Sequence, residues 1–186
     1  MKSKFKVQEL SYTAMGVALV AVCSWISIPL PVPVTMQTFA ICLITAVLGL
    51  RLGLWTVVVY ILLGAAGLPV FSGFRSGLGA LLGTSGGYII GFIFTALAVG
   101  LGVKRFGRKP VALALSMAVG ILLCYAFGTA WFVLVYTRTS GAIGVMTALG
   151  LCVFPYLLPD AAKILLAVSL TGRLHKLLNV RGGLFC

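Results

Sequence analysis

The chain has 186 residues, 61% of them apolar and only 9% charged, against the roughly 25% charged of a soluble globular domain. Its 14 lysines and arginines outnumber two acids, for a formal net charge of +12, yet they punctuate the apolar runs instead of forming one patch, which argues against a nucleic-acid partner. Apolar runs near the length needed to cross ~30 Å of hydrocarbon recur along it, so residues 1–186 read as a single all-α integral membrane domain.

Six transmembrane helices are expected, at roughly 9–28, 36–51, 53–68, 85–103, 110–135 and 143–173. With the N-terminus in the cytoplasm, Lys2, Lys4, Lys6, Arg51, Lys104, Arg105, Arg108, Lys109, Arg173, Lys176 and Arg181 fall inside, Arg75 and Arg138 outside, and Lys163 within a span. That asymmetry fits the positive-inside rule and puts both termini in the cytoplasm. The basic rim also suits anionic lipid head groups. The first span has a basic start but no A-x-A site, and Val22 precedes Cys23 where a lipoprotein signal needs a small residue, so an uncleaved helix is expected.

On that helix Ser11, Ala14, Ala18 and Ala21 share one face. Small residues let helices approach closely, either inside the bundle or against another membrane protein. Loop one, PLPVPVTMQTF at 29–39, is stiffened by three alternate prolines and ends in Gln37, an amide that both donates and accepts. Spans two and three are separated only by R-L-G at 51–53, which demands a tight turn. Loop three, GLPVFSGFRSGLGALLGTSGGY at 67–88, is glycine-rich, carries Phe71, Phe74 and Arg75, and is expected to fold back as an extracellular lid rather than act as a flexible linker.

In the fifth span Ala112, Ser116, Gly120, Cys124 and Gly128 recur every four residues, a second small-residue face, with Trp131 and Phe132 near the outer end. The last apolar run, 141–172, holds Pro155 and Pro159, so a kink or fresh helix start is expected near Asp160. A helix from Asp160 to Arg173 puts the acid about 20 Å, and Lys163 about 15 Å, from the charged end, on one face. Each unpaired charge at that depth costs about 2.5–3.5 kcal/mol on insertion scales. Two readings account for the pair: a structural ion pair tying spans together, or a ligand site, with Tyr156 one turn away.

Other chemistry finds little support. The five cysteines, Cys23, Cys42, Cys124, Cys152 and Cys186, are odd in number and lack CxxC spacing, so neither a disulfide framework nor a metal site is expected. No GxxxxGK[ST] occurs, and the only histidine, His175, lies in the basic tail, so no catalytic residue is assigned.

Three stretches, PVPVTMQTF at 31–39, GAAGLPVFSGFRSGLGALLGTSGGYIIGF at 64–92 and FPYLLPDAAK at 154–163, together resemble the BioY family, the biotin-specific S components of energy-coupling factor (ECF) transporters. Thr84 stands where that family often has proline, and FSGFRS is bulkier and more basic than its usual small polar residues. The resemblance implies a six-helix protein of the bacterial cytoplasmic membrane that binds biotin near the outer face. It implies assembly with a membrane scaffold subunit, met by Ala14 and Ala18, and with two cytoplasmic ATPases, and it implies no cofactor beyond the transported biotin. Asp160 would then accept the urea N–H groups, and Lys163 would donate to the urea carbonyl or meet the carboxylate. Gln37 would add an amide contact, Arg75 is a second candidate for the carboxylate, and Phe71, Ser72, Tyr88, Trp131 and Tyr156 would line the site. The alternative is a stand-alone carrier with Asp160 coupling to protons, although no second copy of the broken, charged segment is present. An intramembrane enzyme is a distant third.

Overall fold

A computed structural model of the chain describes residues 7–28, 30, 32–141 and 144–180. Lys2, Lys4, Lys6 and Arg181, together with Pro29, Pro31 and Cys186, lie outside these residues. The described chain folds as helices α1 (Val7–Trp25), α2 (Gln37–Ala65), α3 (Gly77–Leu82), α4 (Gly86–Phe106), α5 (Pro110–Ser140), α6 (Val145–Cys152) and α7 (Phe154–Val180). Two strands of two residues each, β1 (Ser27–Ile28) and β2 (Val34–Thr35), pair antiparallel with Ser27 opposite Thr35. A 3-10 turn occupies Ser72–Phe74. Among the described residues, five helical stretches are long and apolar enough to cross a membrane: Val7–Trp25, Gln37–Ala65, Gly86–Phe106, Pro110–Thr139 and Met146–His175.

The expected second and third spans both fall within α2, which is not straight. Gly49 breaks it at φ 83, ψ 178, a left-handed φ that glycine alone adopts freely. Gln37 is hydrogen-bonded to Tyr60, 23 residues on, whereas a straight helix would hold them about 35 Å apart. A Cβ on Gly53 would lie 2.8 Å from Thr45 Cα. The two arms therefore fold back on each other, and the reversal sits at Gly49 rather than within 51–53.

The two small-residue faces have different fates. That of α5 is spent inside the bundle, with Ser116 against Gly102, Gly120 against Thr95, Cys124 against Gly91 and Gly128 against Tyr88. A Cβ on Gly102 would stand 1.9 Å from Ser116 Oγ, so this approach requires glycine. On α1 the buried side is instead Thr13, Gly16, Val17 and Val20, packed on α2. Ser11, Ala14 and Ala18 are exposed and only Ala21 of that stripe is buried.

The break in the last run also falls earlier than expected. α6 ends at Cys152, with Val153 (φ −126, ψ −57) as its cap, and α7 starts at Phe154, six residues before Asp160. Starting there places Pro155 in the first turn, where a missing N–H costs nothing. Pro159 is held within the helix, leaving only the Pro155 carbonyl without its usual donor. Asp160 and Lys163 thus ride on unbroken helix, their side chains fixed on one face.

Candidate functional site

One cavity gathers residues from six parts of the chain. It is lined by β2 and the start of α2 (Thr35, Gln37, Thr38), the 3-10 turn region (Phe71, Ser72, Arg75), α4 (Tyr88, Ile89, Phe92), α5 (Ile121, Cys124, Tyr125), Cys152, and α7 (Tyr156, Asp160, Lys163). Counted out through its mouth it holds about 710 Å³ of atom-free space, but only about 60 Å³ admits the centre of a water molecule. The site is a narrow slot with mostly apolar walls and a few convergent polar groups, the composition of a small-molecule site.

The floor is the ion pair. Asp160 and Lys163 are 5% and 7% exposed, and Lys163 Nζ lies 2.7 Å from Asp160 Oδ1. Thr38 Oγ1 donates to the same oxygen at 3.2 Å and accepts from Lys163 Nζ at 3.3 Å. The Tyr125 hydroxyl donates to Asp160 Oδ2. The acid is therefore not waiting for a ligand to satisfy it; α2, α5 and its own helix already do. A carboxylate offers about four acceptor positions and an ammonium three N–H groups, so one of each remains unused, on two side chains that both line the cavity. That is the complement of a group carrying N–H next to C=O.

The roof is loop three, pinned at its start. Ser24 Oγ donates to the Val70 carbonyl at 2.6 Å, Trp25 Nε1 to that of Pro69 at 3.0 Å, and Trp25 stacks on Phe74 with ring centroids 5.0 Å apart. The Tyr60 hydroxyl donates to the Val70 carbonyl at 2.9 Å and accepts from the Gln37 amide, while Thr35 Oγ1 donates to the Gln37 carbonyl at 2.9 Å. Gln37 is thus a strut between β2, α2 and the loop. Phe71 is 1% exposed and sits edge-on to Tyr60; a Cβ on Gly64 would lie 2.1 Å from its ring, so only glycine leaves room. The Phe71 N–H donates to the Arg75 carbonyl at 3.1 Å, closing the turn across Gly73 (φ 67) and Phe74 (φ 56). A left-handed phenylalanine costs about 1–3 kcal/mol, which those anchors hold in place. Arg75, exposed, donates from Nε to the Ser72 carbonyl at 3.2 Å and borders the cavity at its outer side.

Of the residues expected from sequence, Asp160, Lys163, Gln37, Phe71, Ser72, Arg75, Tyr88 and Tyr156 line this one cavity. Trp131 does not: its Nε1 donates to the Gly83 carbonyl at 3.1 Å and its ring covers Gly87, so it braces the far end of loop three. Thr38 and Tyr125 were missed, together with Cys124 and Cys152. Position beside Gln37 was the only mark on Thr38, and position beside the small-residue stripe the only one on Tyr125. The four described cysteines are buried, with free thiols.

Known proteins resemble this chain in sequence and in fold. The chain is 38% identical over 171 residues to the "Probable biotin transporter BioY" of Pyrococcus horikoshii, 91% of this chain and 98% of that one. It is 37% identical over 172 residues to the "Biotin transporter BioY" of Thermotoga maritima, 92% and 98% of the two chains. Its structure is similar to the crystal structure of the S-component for biotin from an ECF-type ABC transporter, with TM-score 0.82, 27% identity and 95% of each chain covered. The BioY family's sequence profile matches residues 1–180, a range that takes in the floor, walls and roof of the cavity. By that match and by relatives of almost equal length, the chain belongs to the BioY family.

Proposed function

We propose that the chain is the biotin-binding membrane subunit of an ECF-type ABC importer. The observation that carries this reading is the cavity floor, where a buried Asp160–Lys163 pair beneath apolar walls keeps one unused acceptor position and one unused N–H. Biotin has a cyclic urea, a thioether ring and a short chain ending in a carboxylate. Its urea docks on Asp160 and Lys163 through charge-assisted hydrogen bonds, which are strong where water is excluded. Its rings lie against Tyr88, Phe92 and Tyr156, and its chain runs outward so that the carboxylate meets Arg75. Phe71 and Ser72 close over it as part of the loop-three lid.

The fold-back of α2 at Gly49 turns five membrane-length stretches into six crossings, which supports both termini facing the cytoplasm. The chain carries no phosphate-binding loop, and two cytoplasmic ATPases drive transport through a membrane scaffold subunit that meets α1 at Ala14 and Ala18, in the cytoplasmic membrane.

The test is a biotin titration of the purified chain alone in detergent, read by calorimetry or tryptophan fluorescence. Saturable one-to-one binding at nanomolar to low micromolar strength is expected. Absence of binding by a sample that is folded and monodisperse would overturn the assignment of the ligand.

A further inference from the structure

At the end where residues 104–109 join α4 to α5, the outer surface of the bundle carries a groove unrelated to the biotin cavity. It measures about 500 Å³ around Arg105, Lys109 and Leu115, and runs on into a second hollow of about 320 Å³ reaching Ala98. The two share Arg105, Phe106, Leu115 and Ser116, so they adjoin along one trough. Small residues, Ala98 and Gly102, make its floor, and Leu101 and Leu115, 52% and 63% exposed, stand along its length. From Arg105 to Ala98 the trough follows α4 for about 10 Å.

One end is basic, and no described residue neutralises it. Of the two acids, Asp160 is buried in the cavity floor and Glu9 lies 3.8 Å from Arg51. Arg108 turns inward, its Nε and Nη2 donating to the Ala46 and Val47 carbonyls at 2.9 and 3.1 Å, where the first arm of α2 ends. Arg105 and Lys109 are left exposed at the head of the groove, with no carboxylate partner among the described residues. An apolar trough of membrane-facing residues that ends in two unneutralised cations at the bilayer edge matches a molecule with an acyl chain below and a phosphate above.

We propose that this groove holds one anionic phospholipid, its phosphate between Arg105 and Lys109 and one acyl chain along Ala98, Gly102 and Leu115. Only the choice of leaflet, the cytoplasmic one, rests on the topology proposed above.

The test is native mass spectrometry of the full chain, purified in detergent and offered equimolar phosphatidylglycerol and phosphatidylcholine with identical chains. One phosphatidylglycerol should be retained in preference to phosphatidylcholine. Arg105→Gln and Lys109→Gln should each lower that preference about fivefold, and together about thirtyfold. Arg105→Lys, which keeps charge and fold, should preserve it. Ala98→Phe, which fills the floor without touching charge, should abolish retention of the bound lipid. Equal retention of the two lipids overturns the proposal. So does a loss in Arg173→Gln, at an exposed arginine on α7, as large as that in Arg105→Gln, which would mean a diffuse field. Displacement by millimolar inorganic phosphate also overturns it, because the site would then take phosphate and not lipid. No biotin enters the assay, so its failure leaves the biotin reading intact.

Discussion

Asp160 shares one oxygen between Lys163 and Thr38 and gives the other to Tyr125, so neutralising it has more than one consequence. Asp160→Asn replaces one of the oxygens proposed to meet the biotin urea with an NH2 donor, removes the negative charge, and leaves a buried ammonium without its counter-ion, the last costing about 3–5 kcal/mol. Loss of binding in that variant alone is therefore ambiguous. The double variant Asp160→Asn with Lys163→Met takes away both charges and should recover much of the thermal stability lost in the single one. Biotin affinity should stay reduced by more than tenfold in both, measured by calorimetry beside the thermal midpoint. If the double variant binds biotin as the parent does, the pair is structural and the ligand is held elsewhere. The pair itself was legible in the sequence because an acid is so rare there, and the i, i+3 spacing gave its geometry. Thr38 and Tyr125 were not, because a hydroxyl reaches Asp160 only through the packing of α2 and α5 against α7, which no local pattern encodes.

Loop three shows what glycine and aromatic residues do together at the scale of an element. Its glycines allow the turn at Ser72–Phe74, and its aromatic residues fix that turn to α1 and α2. Trp25→Ala would remove both the stack on Phe74 and the donor to the Pro69 carbonyl without touching a residue that lines the cavity. An aromatic pair is worth about 0.5–1.5 kcal/mol and a hydrogen bond about 1, so biotin should dissociate about tenfold faster or more, with association little changed. Stopped-flow displacement would measure this, and an unchanged dissociation rate would mean that the loop is not a lid. Hydropathy marks where a membrane-crossing helix can lie, since a span must be apolar along its length. It misplaced the reversals, because Gly49 within an apolar run looks no different from its neighbours until its φ is known. The β1–β2 pairing was invisible, since two residues a side carry no period.

Across the whole molecule, one small-residue face is consumed and one is left over. The α5 stripe packs on α4, whereas Ser11, Ala14 and Ala18 of α1 meet nothing in the bundle and stay exposed. Small exposed residues gain little from lipid but allow a second helix to approach closely, so this face suits the scaffold subunit. The same helix ends in Ser24 and Trp25, which hold the start of loop three, so the proposed docking face and the anchor of that loop share one rigid element. Ala18→Leu, or Ala14→Leu, adds bulk on the outer side of α1, away from the cavity. Biotin binding by the isolated chain should be unchanged, while ATP-driven uptake in proteoliposomes with the scaffold and ATPases should fall to background. Parent-level uptake in both variants would mean that the scaffold docks elsewhere. The same preparation separates the importer from a proton-coupled carrier: without the ATPases, the parent chain should accumulate no biotin when a proton gradient is imposed. Accumulation that collapses with the gradient would make Asp160 a coupling site and remove the need for a docking face.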